Sequence, residues 1–241
     1  MNTNVKRAII NHASATSGEE VCGFIVQTEE GVYAHPCANV STDDKAVSFE
    51  IAPADYIAAR GAGRVCGIYH GGLTHTNESF SEEDLAMARE MCLPLHLYAA
   101  SGKWSVYYPE TYIVDPIGLI FQWGTWDCLE TVRLHYRQQR GVYITDYDRD
   151  ETFEKDAGDI IARHVSDEGF GYVDRSAPIL TDDVLLFRTP GSPHAHHMGV
   201  LCGPNKLLHH PRNQLSRVDS LDGAWLRRLV GVLRYTGKAK I

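Results

Sequence analysis

The chain has 241 residues, 44% of them hydrophobic, and a formal net charge of −8. That length suits two domains of ordinary size, each able to bury a core. The acidic balance argues against a nucleic-acid partner, which needs a concentrated basic surface, and no apolar run approaches the roughly eighteen residues of a membrane span.

The opening segment MNTNVKRAIINHASATSGEE breaks its apolar run at Asn11 and His12, so it does not read as a secretory signal. Helical spacing over Val5–Ser14 is followed by an apolar run at Val21–Val26 and by strand-like stretches at Gly31–Ala34 and Ala46–Ile51. Pro53 opens a short helix to about Arg60, because proline is tolerated in a first turn. Val65–Tyr69 reads as a buried strand. Ser81 then caps SEEDLAMAREM, a helix with three acids in its first turn. Strands at Leu95–Ala100 and Trp104–Tyr108 flank a Ser-Gly-Lys turn. The alternation predicts a mixed sheet with flanking helices.

Pro109–Asp115 reads as a seam, which divides the chain into residues 1–110 and 111–241. Beyond it, helices are expected at Trp126–Gln139 and Glu151–Val165. Short strands follow at Val184–Phe187, Met198–Leu201, Lys206–Leu208 and Leu229–Arg234. Helices first and strands later predict an α+β domain, so the whole is a two-domain α+β and α/β chain.

The six cysteines, Cys22, Cys37, Cys66, Cys92, Cys128 and Cys202, include no Cys-x-x-Cys pair and read as reduced thiols, mostly core fillers. Cys128 differs, because WGTWDCLETVRLHY puts it at a helix start, where the thiolate is favoured. A thiolate nucleophile needs a base that titrates near neutrality. His197, in HAHHMGVLCG, is that candidate. His209 ends the next strand-like run, KLLHH, where an antiparallel neighbour would bring it beside His197 to orient the ring. The Cys128 backbone N–H is one candidate oxyanion donor. A lone cysteine on an amphipathic helix is more often a buried filler, so the combination carries the reading. His194, His196 and His210 receive no role.

Asp127-Cys128, Asp182–Phe187, His197-Met198-Gly199 and His209 together resemble the NlpC-type family of papain-like cysteine peptidases, over about residues 115–237. The resemblance implies hydrolysis of stem-peptide amide bonds in peptidoglycan by Cys128, His197 and His209, with no cofactor. Asp182 stands where that family usually has glycine.

In the first half, GEEVCGFIV followed by GIYHGGLTHTNESFSEEDL gathers possible metal ligands at one end of a sheet, and zinc favours histidine and carboxylate. Glu20 before Cys22-Gly23, His70, Ser81 and Asp84 resemble the JAMM (MPN) metallopeptidase family. That likeness implies a zinc ion on His70, His75 and Asp84, with Glu20 as base and Ser81 as oxyanion donor. Gly72 occupies the place of the family's second histidine, so His75 would enter by a loop shift. A degenerate domain kept for assembly contacts is the competing reading.

The pair of domains, in this order, resembles the tail-tip assembly proteins of lambda-like siphophages. It implies synthesis in the host cytoplasm, a place at the virion tail tip beside other tail-tip proteins, and peptidoglycan as substrate during DNA entry. Two other readings stay open: a mainly structural tail-tip component with inactive enzyme-like domains, and a cellular two-domain hydrolase.

Overall fold

A computed structural model describes residues 2–147, 149, 164–188 and 194–237. The helix expected over Glu151–Val165 falls almost wholly outside them. The chain divides into two compact units, Asn2–Ile113 and Val114 onward.

The first unit is a five-stranded mixed sheet between helices. Helix α1 (Thr3–Ala15) starts at Asn2, whose side chain accepts the Asn4 N–H at 2.7 Å, and buries Val5, Ile9 and Ala13 as one stripe. Strand β1 (Val21–Thr28) is an interior strand of the sheet and is buried almost throughout, with β2 (Gly31–Cys37) and β3 (Arg64–Gly71) antiparallel on either side. Helix α3 (Glu82–Met91) then carries the chain to β4 (Leu95–Tyr98), parallel to β3, and β5 (Trp104–Tyr107) closes the edge. Helix α2 (Pro53–Ala62) offers Ala59, and α3 offers Ala88, to the face of Cys22, Phe24, Val26 and Leu95. Both alanines are fully buried, and their small side chains allow close approach to the sheet.

The expectation of a strand at Ala46–Ile51 is corrected. Only an isolated bridge, Asn39 to Ile51, forms there. The Asn39 side chain takes the backbone groups that a ladder would have used: its amide donates to the Ser48 and Glu20 carbonyls, and its oxygen accepts from Ser41 and Glu50 N–H.

The second unit packs α4 (Cys128–Arg140) on an antiparallel sheet of six strands. These are β6 (Phe170–Tyr172), β7 (Val184–Phe187), β8 (His197–Gly203), β9 (Lys206–His209), β10 (Arg217–Ser220) and β11 (Leu229–Tyr235), in the order β10-β9-β8-β7-β11-β6. Cys128, Val132 and Tyr136 lie four residues apart on the buried face of α4 and meet Val184, Leu186, Met198, Val200 and Leu208. Residues of the opposite parity, Leu185, Phe187, Leu201 and Leu207, form a second core with Trp225 of the short helix α5 (Gly223–Leu226). A two-residue turn, Pro204-Asn205, joins β8 to β9, with Asn205 left-handed at φ 57°.

Asp182 is also left-handed, at φ 72°, in the position where the resemblance leads one to expect glycine. A side chain there costs about 1–2 kcal/mol of backbone energy. The carboxylate offsets this: one oxygen is 2.8 Å from His135 Nε2 and the other accepts from Arg140 at 2.6 Å.

Candidate functional site

Cys128 is the first residue of α4. Asp127 caps that helix, one carboxylate oxygen accepting the Glu130 N–H at 2.9 Å. The other oxygen accepts the Gly124 N–H at 2.8 Å and the Arg149 Nε–H at 2.6 Å, and both charged side chains are wholly buried. The nucleophile candidate therefore heads a helix whose start is fixed by a neutralised carboxylate.

His197 opens β8 opposite Phe187, and the β8–β9 register sets Gly199 opposite His209. A Cβ at Gly199 would stand 2.8 Å from that of His209, so glycine is required for the strands to hold these histidines as they are. His197 Nε2 lies 3.0 Å from His209 Nδ1, and His209 Nε2 lies 3.0 Å from Asp219 Oδ2 on β10. Asp219 in turn accepts from Arg217 Nε at 2.8 Å. Trp225 covers this row, its ring 4.6 Å from that of His209 and 5.8 Å from that of His197.

The row fixes its own tautomers. Burial alone would raise the Asp219 carboxyl, but the hydrogen bonds of Arg217 and His209 hold it below its usual value. An ionised carboxylate only accepts, so His209 must donate from Nε2 and present a lone pair at Nδ1. His197 then donates from Nε2, which leaves Nδ1 as its basic nitrogen. Asp219 was missed in the sequence because RVDS is short and polar. Its one signal is alternation, which sets Arg217 and Asp219 on one face of a strand beside His209.

Cys128 and His197 line the same cleft, of about 260 Å3. The expected lowering of the thiol does not occur. Burial pushes Cys128 up to about 12 and the Asp127 charge adds to it, outweighing the Met198 and Leu129 N–H groups and Arg149. Burial also takes His197 down to about 3. Both shifts favour the neutral thiol and the neutral imidazole. His209 is also lowered, chiefly by burial, and His194, His196 and His210 stand outside the row.

In the first unit, β1 and β3 bring Glu20 beside His70. The chain then turns through Gly71 and Gly72, at φ 117° and 124°. A histidine at 72 would be strained in that conformation. The turn instead returns His75 to the cluster, its N–H on the Gly72 carbonyl at 3.3 Å and its carbonyl accepting the Ala100 N–H at 2.8 Å. Glu20 reaches both histidines, contacting His75 Nδ1 through Oε1 and lying 3.4 Å from His70 Nδ1 through Oε2. Burial would raise Glu20, but these two contacts bring it down to about 2, while the Glu20 hydrogen bond raises His75.

Glu20, His70 and His75 thus form the close group, with one donor atom from each within 4.8 Å of the others. Asp84 stands slightly apart, its Oδ1 3.7 Å from His70 Nε2. Its Oδ2 accepts the Ser81 N–H at 2.8 Å while Ser81 Oγ accepts the Asp84 N–H, so both residues close the N-terminus of α3 and Ser81 is exposed. The second nitrogens of His70 and His75, both Nε2, are buried with no hydrogen-bond partner. Two histidines and two carboxylates are a donor set that suits zinc.

Residues 2–111 match the prokaryotic homologs of the JAB domain, and residues 118–234 match the NlpC/P60 family. The chain thus carries a JAB-type domain followed by an NlpC/P60 domain, the second with a papain-like peptidase fold. Over 188 residues, 77% of this chain and 89% of the relative, it is 26% identical to tail tip assembly protein K of Escherichia phage lambda. Among solved structures, an NlpC/P60 family protein from Bacillus cereus is 15% identical with a TM-score of 0.33, covering 94% of this chain and 66% of that one. A protein from Desulfitobacterium hafniense is 18% identical with a TM-score of 0.35, covering 44% and 78%.

Proposed function

We propose that the second domain is a thiol endopeptidase that cuts stem-peptide amide bonds of peptidoglycan, and that the chain serves at a phage tail tip during assembly and DNA entry. The carrying observation is the placement of Cys128 and His197 on one cleft, with His197 backed by His209 and Asp219. The likeness to a tail tip assembly protein supports the setting, with other tail-tip proteins as partners, manufacture in the host cytoplasm and the virion tail as destination.

In this reading His197 takes the thiol proton as Cys128 Sγ attacks the scissile carbonyl. The first-turn N–H of Cys128, which has no intrahelical partner, faces the developing oxyanion. The amine leaves with the proton from His197, and water, activated by the same ring, cleaves the thioester and restores the thiol. A neutral resting pair requires proton transfer to accompany attack.

The test is digestion of Gram-negative sacculi with the purified chain, read by mass spectrometry, with Cys128→Ala as control. New stem-peptide fragments that vanish in the variant are expected. Intact sacculi throughout would favour the structural tail-tip reading.

The two buried Nε2 atoms, neither with a hydrogen bond, favour a second reading in which zinc binds the first domain through His70, His75 and a carboxylate of Glu20 or Asp84. When bound, the ion would supply Lewis acidity. Elemental analysis should find one zinc per chain and none in His75→Ala; equal zinc in both would remove His75 from the ligand set.

A further inference from the structure

The cleft beside Cys128 is walled by Arg188, Arg212 and Arg228, and no aspartate or glutamate is among the described residues lining it. This contrasts with a chain whose net charge is −8. The arginines arrive from three separate segments: one after β7, one after β9 and one just before β11. Arg188 and Arg228 are tied at the backbone, the Arg188 N–H donating to the Arg228 carbonyl at 3.0 Å. Two guanidinium groups rest on aromatic walls, Arg228 at 5.5 Å from the Trp225 ring and Arg212 at 5.9 Å from the Trp123 ring. Such stacking orients the planar fork, and for Arg228 it leaves the edge N–H groups available to bind. Among the described residues, no ion pair engages Arg188 or Arg228.

A guanidinium fork matches a carboxylate through two parallel hydrogen bonds. With no ion pair on them among the described residues, Arg188 and Arg228 are poised for an anion that arrives with the substrate. Trp225 adds a link to the chemistry, because the ring under Arg228 also packs on His197 and His209.

We infer that the cleft selects peptides carrying free carboxylates next to the scissile amide, held by Arg188 and Arg228 with Arg212 on the facing segment. This rests on the thiol-peptidase reading and names the substrate chemistry of that site. A neutral or amidated peptide of the same length would leave the arginines solvated and gain nothing from them.

The test compares a soluble wall stem tripeptide with its carboxylates free against the same peptide amidated. Turnover is followed by mass spectrometry, and binding to Cys128→Ala is followed by calorimetry. The free-acid peptide should show a KM and a Kd about tenfold lower, with kcat little changed, and added salt should shrink the difference. In the Arg188→Gln/Arg228→Gln double variant this acid-over-amide preference should collapse. Equal affinity for the two peptides, or a preference that survives both substitutions, would overturn the inference while leaving the peptidase intact. Absence of cleavage of either peptide would instead sink the peptidase reading, and calorimetry on Cys128→Ala would still decide whether the arginines bind carboxylates.

Discussion

At the scale of single residues, the least visible member of the site sets the state of the others. Asp219 touches neither the cleft nor the thiol, yet its acceptor-only oxygens dictate which nitrogen of His209, and through it of His197, carries hydrogen. Asp219→Ala should lower kcat by roughly ten- to hundredfold with KM little changed. That is less than the roughly ten-thousandfold cost of a wrong tautomer in a serine triad, because one imidazole stands between. The ring 15N shifts of His197 and His209 should change with it. A loss of kcat with unaltered shifts would reduce Asp219 to a sheet-edge contact. His209→Ala should hurt less than His197→Ala, since one orients the base and the other is the base.

At the scale of elements, the sequence was legible wherever one face is apolar and the end is marked. Ser81 and its three following acids announced α3, and the stripe of α4 placed Cys128 at its head. Three features were hidden for physical reasons. Asn39 replaced a ladder with side-chain hydrogen bonds; β10 is a short, half-exposed strand; and burial overrode the helix-start effect at the thiol. Asp127 caps α4, and the buried pair with Arg149 adds to that role. Asp127→Asn keeps the cap, since asparagine caps as well as aspartate. It removes one partner of a buried ion pair, a loss of about 3–5 kcal/mol that the Arg149 contact with Asp146 softens. The same change deletes a negative charge beside the sulfur. The variant should therefore melt earlier and yet be alkylated faster at Cys128 near pH 8. Slower alkylation would show that cap geometry, not charge, governs the thiol.

At the scale of the molecule, the two units answer acidity differently. Glu20 is depressed from 4.5 to about 2, so its contribution is full above 4.5 and fades as pH falls through 2. His75 is raised above 6.5, so its contribution is full below 6.5 and is lost as pH rises through its folded value. The metal-free first unit should thus be most stable between pH 4.5 and 6.5. His197 is depressed from 6.5 to about 3, so the second unit loses stability as pH falls through that interval. Calorimetry of the chelator-treated chain at pH 5.5 and 8.5 should show the two transitions moving in opposite directions. Parallel movement would mean that these clusters do not govern stability.

The two-residue turn between β8 and β9 has a reach out of proportion to its size. His197 and His209 meet because Pro204-Asn205, together with the irregularity at Cys202 between Leu201 and Gly203, sets how the two strands slide past one another. Side chains alternate faces along a strand, so a slip of one residue would turn His209 away from its neighbour. The turn works as a measuring stop, and tolerance to change there belongs with the chemistry and not with the surface loops it resembles.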